Sequence, residues 1–123
     1  MNENERIIRD FVAAWGTLNV DKIVDHFTED GVYHNMMLQP VAGRENLRRF
    51  IQGFVKSWTA TDWEIRLLAS NGDVVIAERI DRTSIGTKQV ALPCCGVFEL
   101  KNGKIREWRD YFDMATYSKA VAS

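Results

Sequence analysis

Residues 74–83, Val74-Val75-Ile76-Ala77-Glu78-Arg79-Ile80-Asp81-Arg82-Thr83, follow the turn signal Asn71-Gly72-Asp73 and decide the fold. A short run rich in β-branched residues behind such a turn predicts a strand entered through a hairpin. Upstream, Trp63, Ile65 and Leu67 alternate with polar residues and predict its antiparallel neighbour. Downstream, Thr87 to Leu100 and Lys104 to Asp113 are further strand-like runs, set off by Ile85-Gly86 and Lys101-Asn102-Gly103. Three or four antiparallel strands result. Pro93 lies inside one run and has no N–H for a ladder bond, so a bulge or bend is expected there.

The first half has a different period. Ile7, Ile8, Phe11 and Trp15 recur at helical spacing from Glu3 to Trp15, and Val20, Ile23, Val24 and Phe27 repeat the pattern over a short second helix. Gly31 to Met36 is β-rich and follows Glu29-Asp30, which predicts a first strand. Leu47, Phe50, Ile51, Phe54 and Trp58 then fall on one face of a third helix ending near Trp58-Thr59. Helices first and sheet later means α+β. The chain has 123 residues, 46% hydrophobic and 27% charged, a globular mix sized for one domain spanning residues 1–123.

Sixteen Lys plus Arg against seventeen Asp plus Glu leaves a net charge of −1, too balanced for the basic field that nucleic acid requires. No run approaches the roughly 20 apolar residues of a membrane span, and Met1 to Asp10 lacks signal-peptide order, so a cytoplasmic protein is expected. The two cysteines, Cys94 and Cys95, are adjacent and read as packed thiols. His26 and His34 are too few for a two-histidine metal triad and weaken Ser-His-Asp chemistry.

Strand periodicity groups the charges. Val75, Ala77, Arg79, Asp81 and Thr83 share one face; Val74, Ile76, Glu78, Ile80 and Arg82 share the other, and the pattern leaves open which is buried. In the last strand Trp108, Asp110 and Phe112 share a face, so Asp110 sits between two aromatics and needs a partner. Arg79, whose guanidinium can fork two carboxylates, could bridge Asp81 and Asp110. Blander settings stay open: an exposed Arg79–Asp81 pair, an Asp110 satisfied by backbone amides, Tyr33 and Asn35 as rim residues, and Trp15, Phe50, Phe54 and Trp58 as plain core.

Four segments carry a resemblance: Tyr33-His34-Asn35-Met36 after Phe27-Thr28-Glu29-Asp30; Glu78-Arg79-Ile80-Asp81; Gly96-Val97-Phe98-Glu99-Leu100; and Gly103-Lys104-Ile105 leading into Trp108-Arg109-Asp110-Tyr111-Phe112-Asp113. In this order the chain resembles the limonene-1,2-epoxide hydrolase family, a branch of the nuclear transport factor 2-like, SnoaL-like proteins. The resemblance implies a cone: a strongly curved mixed or antiparallel sheet with helices on its concave side. It implies direct attack of water on an epoxide. Asp110 would be the general base, Tyr33 and Asn35 the holders of that water, Asp81 the general acid, and Arg79 the bridge between the carboxylates. Two close carboxylates should share one proton, which supplies one acid and one base. No cofactor and no metal is implied. The substrate would be an apolar epoxide, cyclic or terpene-like, with Trp108, Phe112, Leu92, Phe54 and Trp58 as pocket walls. A homodimer through the outer sheet face, near Arg109 and Tyr111, is also implied. The chain begins almost directly at its first helix, where the family's limonene enzyme carries a longer N-terminal segment.

Two other functions belong with the same fold. A ketosteroid isomerase or polyketide cyclase would move protons beside a carbonyl with Tyr and acidic residues, but gives no reason for an arginine to join two carboxylates. A binding or dimerisation module would hold a ligand without turnover.

Overall fold

The computed structural model describes residues 2–122. Its elements are α1 (Glu3–Trp15), α2 (Val20–Val24), β1 (Phe27–Asn35), β2 (Val41–Ala42), α3 (Arg44–Val55), β3 (Ala60–Asn71), β4 (Val74–Ile85), β5 (Lys88–Lys101), β6 (Lys104–Phe112) and α4 (Met114–Ala122). Asn2 caps α1 by accepting from the Glu5 amide at 2.9 Å, and Asn19 caps α2 by accepting from Lys22 at 3.2 Å. Each cap satisfies one of the amides that a helix start leaves without a partner.

The strands form one curved, open sheet in the order β2-β1-β6-β5-β4-β3. The antiparallel meander from β3 to β6 follows the sequence-based expectation. β1 adds to β6 in parallel, which makes the sheet mixed and sets Tyr33 beside Trp108 and Asn35 beside Asp110. The helical period assigned to Phe27 fails, because α2 stops at Val24 and Phe27 opens β1.

Burial settles the face of β4 that periodicity left open. Val75, Ala77, Arg79, Asp81 and Thr83 are buried, while Ile76, Glu78 and Arg82 face out. Onto this inner face α1 lays Ile8, Phe11, Val12 and Trp15, and α3 lays Leu47, Ile51 and Val55, to form the core with Phe98, Ile105 and Trp108. Trp108 lies in its middle, stacked on Tyr33 at 4.1 Å and on Phe98 at 5.3 Å. Truncating an aromatic so enclosed to alanine costs about 3–5 kcal/mol.

Two strand expectations need correction. The register shifts between Ile65 and Leu67, so Leu67 turns to the outer face, 62% exposed, and Leu68 packs on the core instead. A bulge of one residue breaks the period of two by which Trp63, Ile65 and Leu67 were grouped. At Pro93 there is no register shift: the β4–β5 ladder runs unbroken through Ile80 and Pro93. Pairing of β5 with β6 begins only at Cys94, so one side of Pro93 has no strand that could require its missing N–H. No helix of the described residues is long and apolar enough to cross a membrane.

Candidate active site

Arg79 and Asp81 of β4 and Asp110 of β6 come together on the inner face of the sheet, across the intervening β5. Arg79 Nε donates to Asp81 Oδ1 at 3.0 Å and Nη2 to Asp81 Oδ2 at 2.8 Å; Nη1 and Nη2 donate to Asp110 Oδ1 and Oδ2, each at 3.0 Å. The guanidinium is fully buried, and Asp81 and Asp110 are only 7% and 3% exposed, which discards the exposed ion pair. Asp110 has a guanidinium as its partner, as a carboxylate between Trp108 and Phe112 requires.

The sheet explains how Arg79 reaches so far. Arg79 sits on β4 opposite Cys94 of β5, whereas Asp110 sits on β6 opposite Gly96 of β5. The guanidinium therefore crosses β5 at residue 96. A Cβ there would lie 2.7 Å from Arg79 Nη1 and 2.9 Å from Trp108 Nε1, so only glycine leaves the passage open. Trp63 covers the guanidinium from the other side, its ring centroid 4.7 Å from Arg79 Cζ, a cation–π contact that adds to the seat. The Trp63 indole is held in turn, donating to Thr61 Oγ1, which lies 2.7 Å from Thr83 Oγ1.

Charge arithmetic sets the protonation. One guanidinium between two ionised carboxylates leaves a buried charge of −1, and a single proton on the pair makes the cluster neutral. Burial, with Asp110 adding to it, raises the Asp81 carboxyl above its ordinary value even though Arg79 opposes the rise. Asp81 is thus a carboxyl that its burial disposes to hold a proton. Burial also lifts the Tyr33 hydroxyl well above the phenol range, with Asp110 adding and Arg79 and the neighbouring Asn35 opposing, so Tyr33 stays a neutral hydroxyl. Arg79 remains charged: burial works against it, but the attraction of Asp110 and Asp81 prevails.

Tyr33 and the two carboxylates face a cavity of about 240 Å³. Tyr33, Asn35, Asp81 and Asp110 form its polar floor, and Phe50, Phe54, Trp58, Trp63, Leu92 and Phe112 its apolar wall. The sequence profile of the limonene-1,2-epoxide hydrolase catalytic domain matches residues 2–123. The chain belongs to the limonene-1,2-epoxide hydrolase family. It is 32% identical over 114 residues to epoxide hydrolase EphG of Mycobacterium tuberculosis, covering 90% of this chain and 74% of that protein. The solved structure of a Mycobacterium tuberculosis LEH-like epoxide hydrolase superposes with a TM-score of 0.84 at 28% identity, covering 98% of this chain and 90% of that one. A SnoaL-like polyketide cyclase fold from Shewanella putrefaciens reaches a TM-score of 0.86 at 16% identity, with 99% and 98% of the two chains covered, and is a likeness of fold alone. Membership of the limonene-1,2-epoxide hydrolase family supports epoxide hydrolysis as the general chemistry.

Against the residues named from sequence, Tyr33, Asn35, Asp81 and Asp110 all reach the cavity, as do Phe54, Trp58, Leu92 and Phe112. Arg79 does not line it; the guanidinium lies behind the carboxylates it holds. Trp108, expected as a wall, is a correction: it is fully buried beneath Tyr33 and packs the floor from below. Phe50 and Trp63, which periodicity alone places on a helix face and a strand, line the cavity with Leu38, Cys94, Met114 and Tyr117. Met114 and Tyr117 belong to α4, whose own periodic residues (Met114, Tyr117, Val121) were the available signal. Asp81, Cys94 and Asp110 bring possible ligand atoms within 4.8 Å of one another. All four carboxylate oxygens of that trio accept from Arg79, so the cation seated between them is a guanidinium.

Proposed function

We propose that this protein adds water across a small apolar epoxide, cyclic or terpene-like, in one general acid/base step that yields a vicinal diol. One observation carries the proposal: Arg79 forks two buried carboxylates at the floor of an apolar cavity, beside a neutral tyrosine and an asparagine. Tyr33 and Asn35 hold a water against Asp110. As the water oxygen attacks an epoxide carbon, Asp110 takes one of its protons and the carbon–oxygen bond of the ring breaks. The bonding pair goes to the ring oxygen, which receives the Asp81 proton. One proton enters at Asp110 and one leaves at Asp81, so the cluster ends as neutral as it began. Arg79 holds both carboxylates throughout. No covalent intermediate forms, and side chains with water supply all the groups the step uses. Ring strain contributes driving force, and each positioned acid or base contributes about 10²–10⁴-fold.

The test is diol formation from a panel of cyclic and terpene epoxides, with chelator present, by the wild type, Asp110→Asn and Asp81→Asn. Each variant should lose at least about 10²-fold in kcat. A folded wild type that makes no diol but isomerises an enone would replace the hydrolase with the isomerase or cyclase function, which the joined carboxylates disfavour.

The same proposal includes a cytoplasmic homodimer. Leu67, Ile76 and Tyr111 are exposed apolar groups on the outer sheet face, and the free thiols Cys94 and Cys95 suit a reducing compartment. Sedimentation at micromolar concentration as a single species of 14.1 kDa would refute the dimer.

A further inference from the structure

Beside Asp81 lies a group that the proposed reaction leaves idle. Cys94 lines the cavity with its Sγ 3.5 Å from Asp81 Oδ2 and 3.3 Å from the Leu92 carbonyl oxygen. A thiol carries one hydrogen, so it can donate to only one of these acceptors at a time, and its sulfur is itself a weak acceptor. Asp81 Oδ2 already accepts from Arg79 Nη2 at 2.8 Å, so a proton on that oxygen must point away from the guanidinium.

We propose that Cys94 is a positioning residue for Asp81, turning its S–H from the Leu92 carbonyl to Asp81 Oδ2 as Asp81 gives up its proton. The inference rests on Asp81 acting as the acid. While Asp81 is protonated, the S–H stays on Leu92 and the sulfur faces the carboxyl as acceptor. Once the proton has passed to the ring oxygen, rotation about Cβ–Sγ brings the S–H onto the new carboxylate. The thiol thereby has a favourable arrangement for both protonation states, which a purely apolar wall lacks.

The surroundings keep Cys94 in this role. Burial first, and then the charges of Asp81 and Asp110, hold its thiol well above the ordinary value, so it stays S–H and does not attack the epoxide as thiolate. The titratable groups facing Asp81 are Arg79 on its own strand, Cys94 from β5, Asp110 from β6 and Tyr33 from β1. Trp63 of β3 and Phe50 and Phe54 of α3 bring no charge, and Tyr117 of α4 lines the same cavity.

The experiment compares Cys94→Val, which keeps bulk without a donor, with Cys94→Ser, which restores one. Without the donor the Asp81 carboxylate is less stabilised and the acid weaker. In Cys94→Val the alkaline limb of kcat against pH should move up by roughly half a unit, with kcat down about threefold, the size of a weak hydrogen bond to a charged group. Cys94→Ser should return the limb to its wild-type position or below. Both variants changing only KM, with the limb in place, would overturn the proposal and leave Cys94 as wall. A second readout needs no turnover: in Cys95→Ala protein, the infrared S–H stretching band of Cys94 should shift across the Asp81 titration and stay still when Asp81→Asn is added. A band that never moves rejects the proposal even if Cys94→Val fails to fold. Absence of diol from every epoxide would instead overturn the hydrolase function, while the band still reports on the contact of Cys94 with Asp81.

Discussion

Arg79 can hold Asp110 only because residue 96 has no side chain. In Gly96→Ala the new methyl meets Arg79 Nη1 and Trp108 Nε1 inside contact distance, and the guanidinium, at the end of an unbranched side chain, is the group expected to give way. The expected outcome is at least a tenfold loss of diol turnover with the fold retained, since misplacing a positioned group by an ångström can cost about 10²-fold. Wild-type turnover in Gly96→Ala, beside an unchanged melting curve, would show that the passage over β5 has room for a methyl group. Arg79→Met is a harsher change at the same place. It removes the cation from two buried carboxylates, and a buried pair broken on one side costs about 3–5 kcal/mol. Urea unfolding measures that loss, and adding Asp110→Asn should recover part of it by removing the carboxylate left without its cation.

α4 closes one side of the cavity yet has no buried residue of its own. Its start is fixed by Asp113, which accepts from the Ala115 amide at 3.3 Å and from Thr116 Oγ1 at 2.7 Å. Along its length it rests on the Val90, Leu92 and Cys94 cluster through Tyr117, Ala120 and Val121. An element so held opens more readily than the β4–β5–β6 centre. Asp113→Ala should speed amide exchange in α4 ahead of the sheet. KM for an apolar epoxide should rise with kcat little changed, because the proposed acid and base stand on β4 and β6 rather than on this helix. Equal exchange in α4 and β5 would contradict this division. The Asp113 carboxyl is held below its usual range chiefly by the Thr116 hydroxyl. Its support of α4 is therefore present above the ordinary carboxyl range and fades as pH falls through the lowered value.

For the whole molecule, Asp81 imposes the opposite slope. Its folded carboxyl is raised, so its contribution to stability is complete below the unfolded value of about 3.9 and is lost as pH rises through the folded one. Glu64, bonded to Arg82, and Glu99, bonded to Arg109, are lowered and contribute the reverse. Unfolding free energy measured from pH 4 towards neutrality in about half-unit steps should therefore decline less in Asp81→Asn than in the wild type. The comparison is of slopes, since the variant also changes the bond to Arg79. Parallel curves would mean that Asp81 is ionised in the fold across that range.

By itself the sequence determined what depends on neighbours along the chain. The period of 3.6 in Ile7 to Trp15 and the period of two in Val75 to Thr83 follow from local geometry, as do the turns at Gly72 and Gly103. The pairing of Arg79 with Asp81 was legible for the same reason, because two residues apart on a strand means one face. Asp110 was legible as a carboxylate in need of a partner, and the order of the four motifs was enough to suggest the family. Tertiary structure decided the rest. A bulge that turns Leu67 outward depends on what β4 offers as a partner, and the burial of Trp108 beneath Tyr33 depends on β1 joining β6 in parallel. The place of Cys94 beside Asp81, the passage over Gly96 and the α4 wall all join residues far apart in sequence. Such contacts form only once the curved sheet has brought β1, β4, β5 and β6 together, and no periodicity within a single segment encodes them.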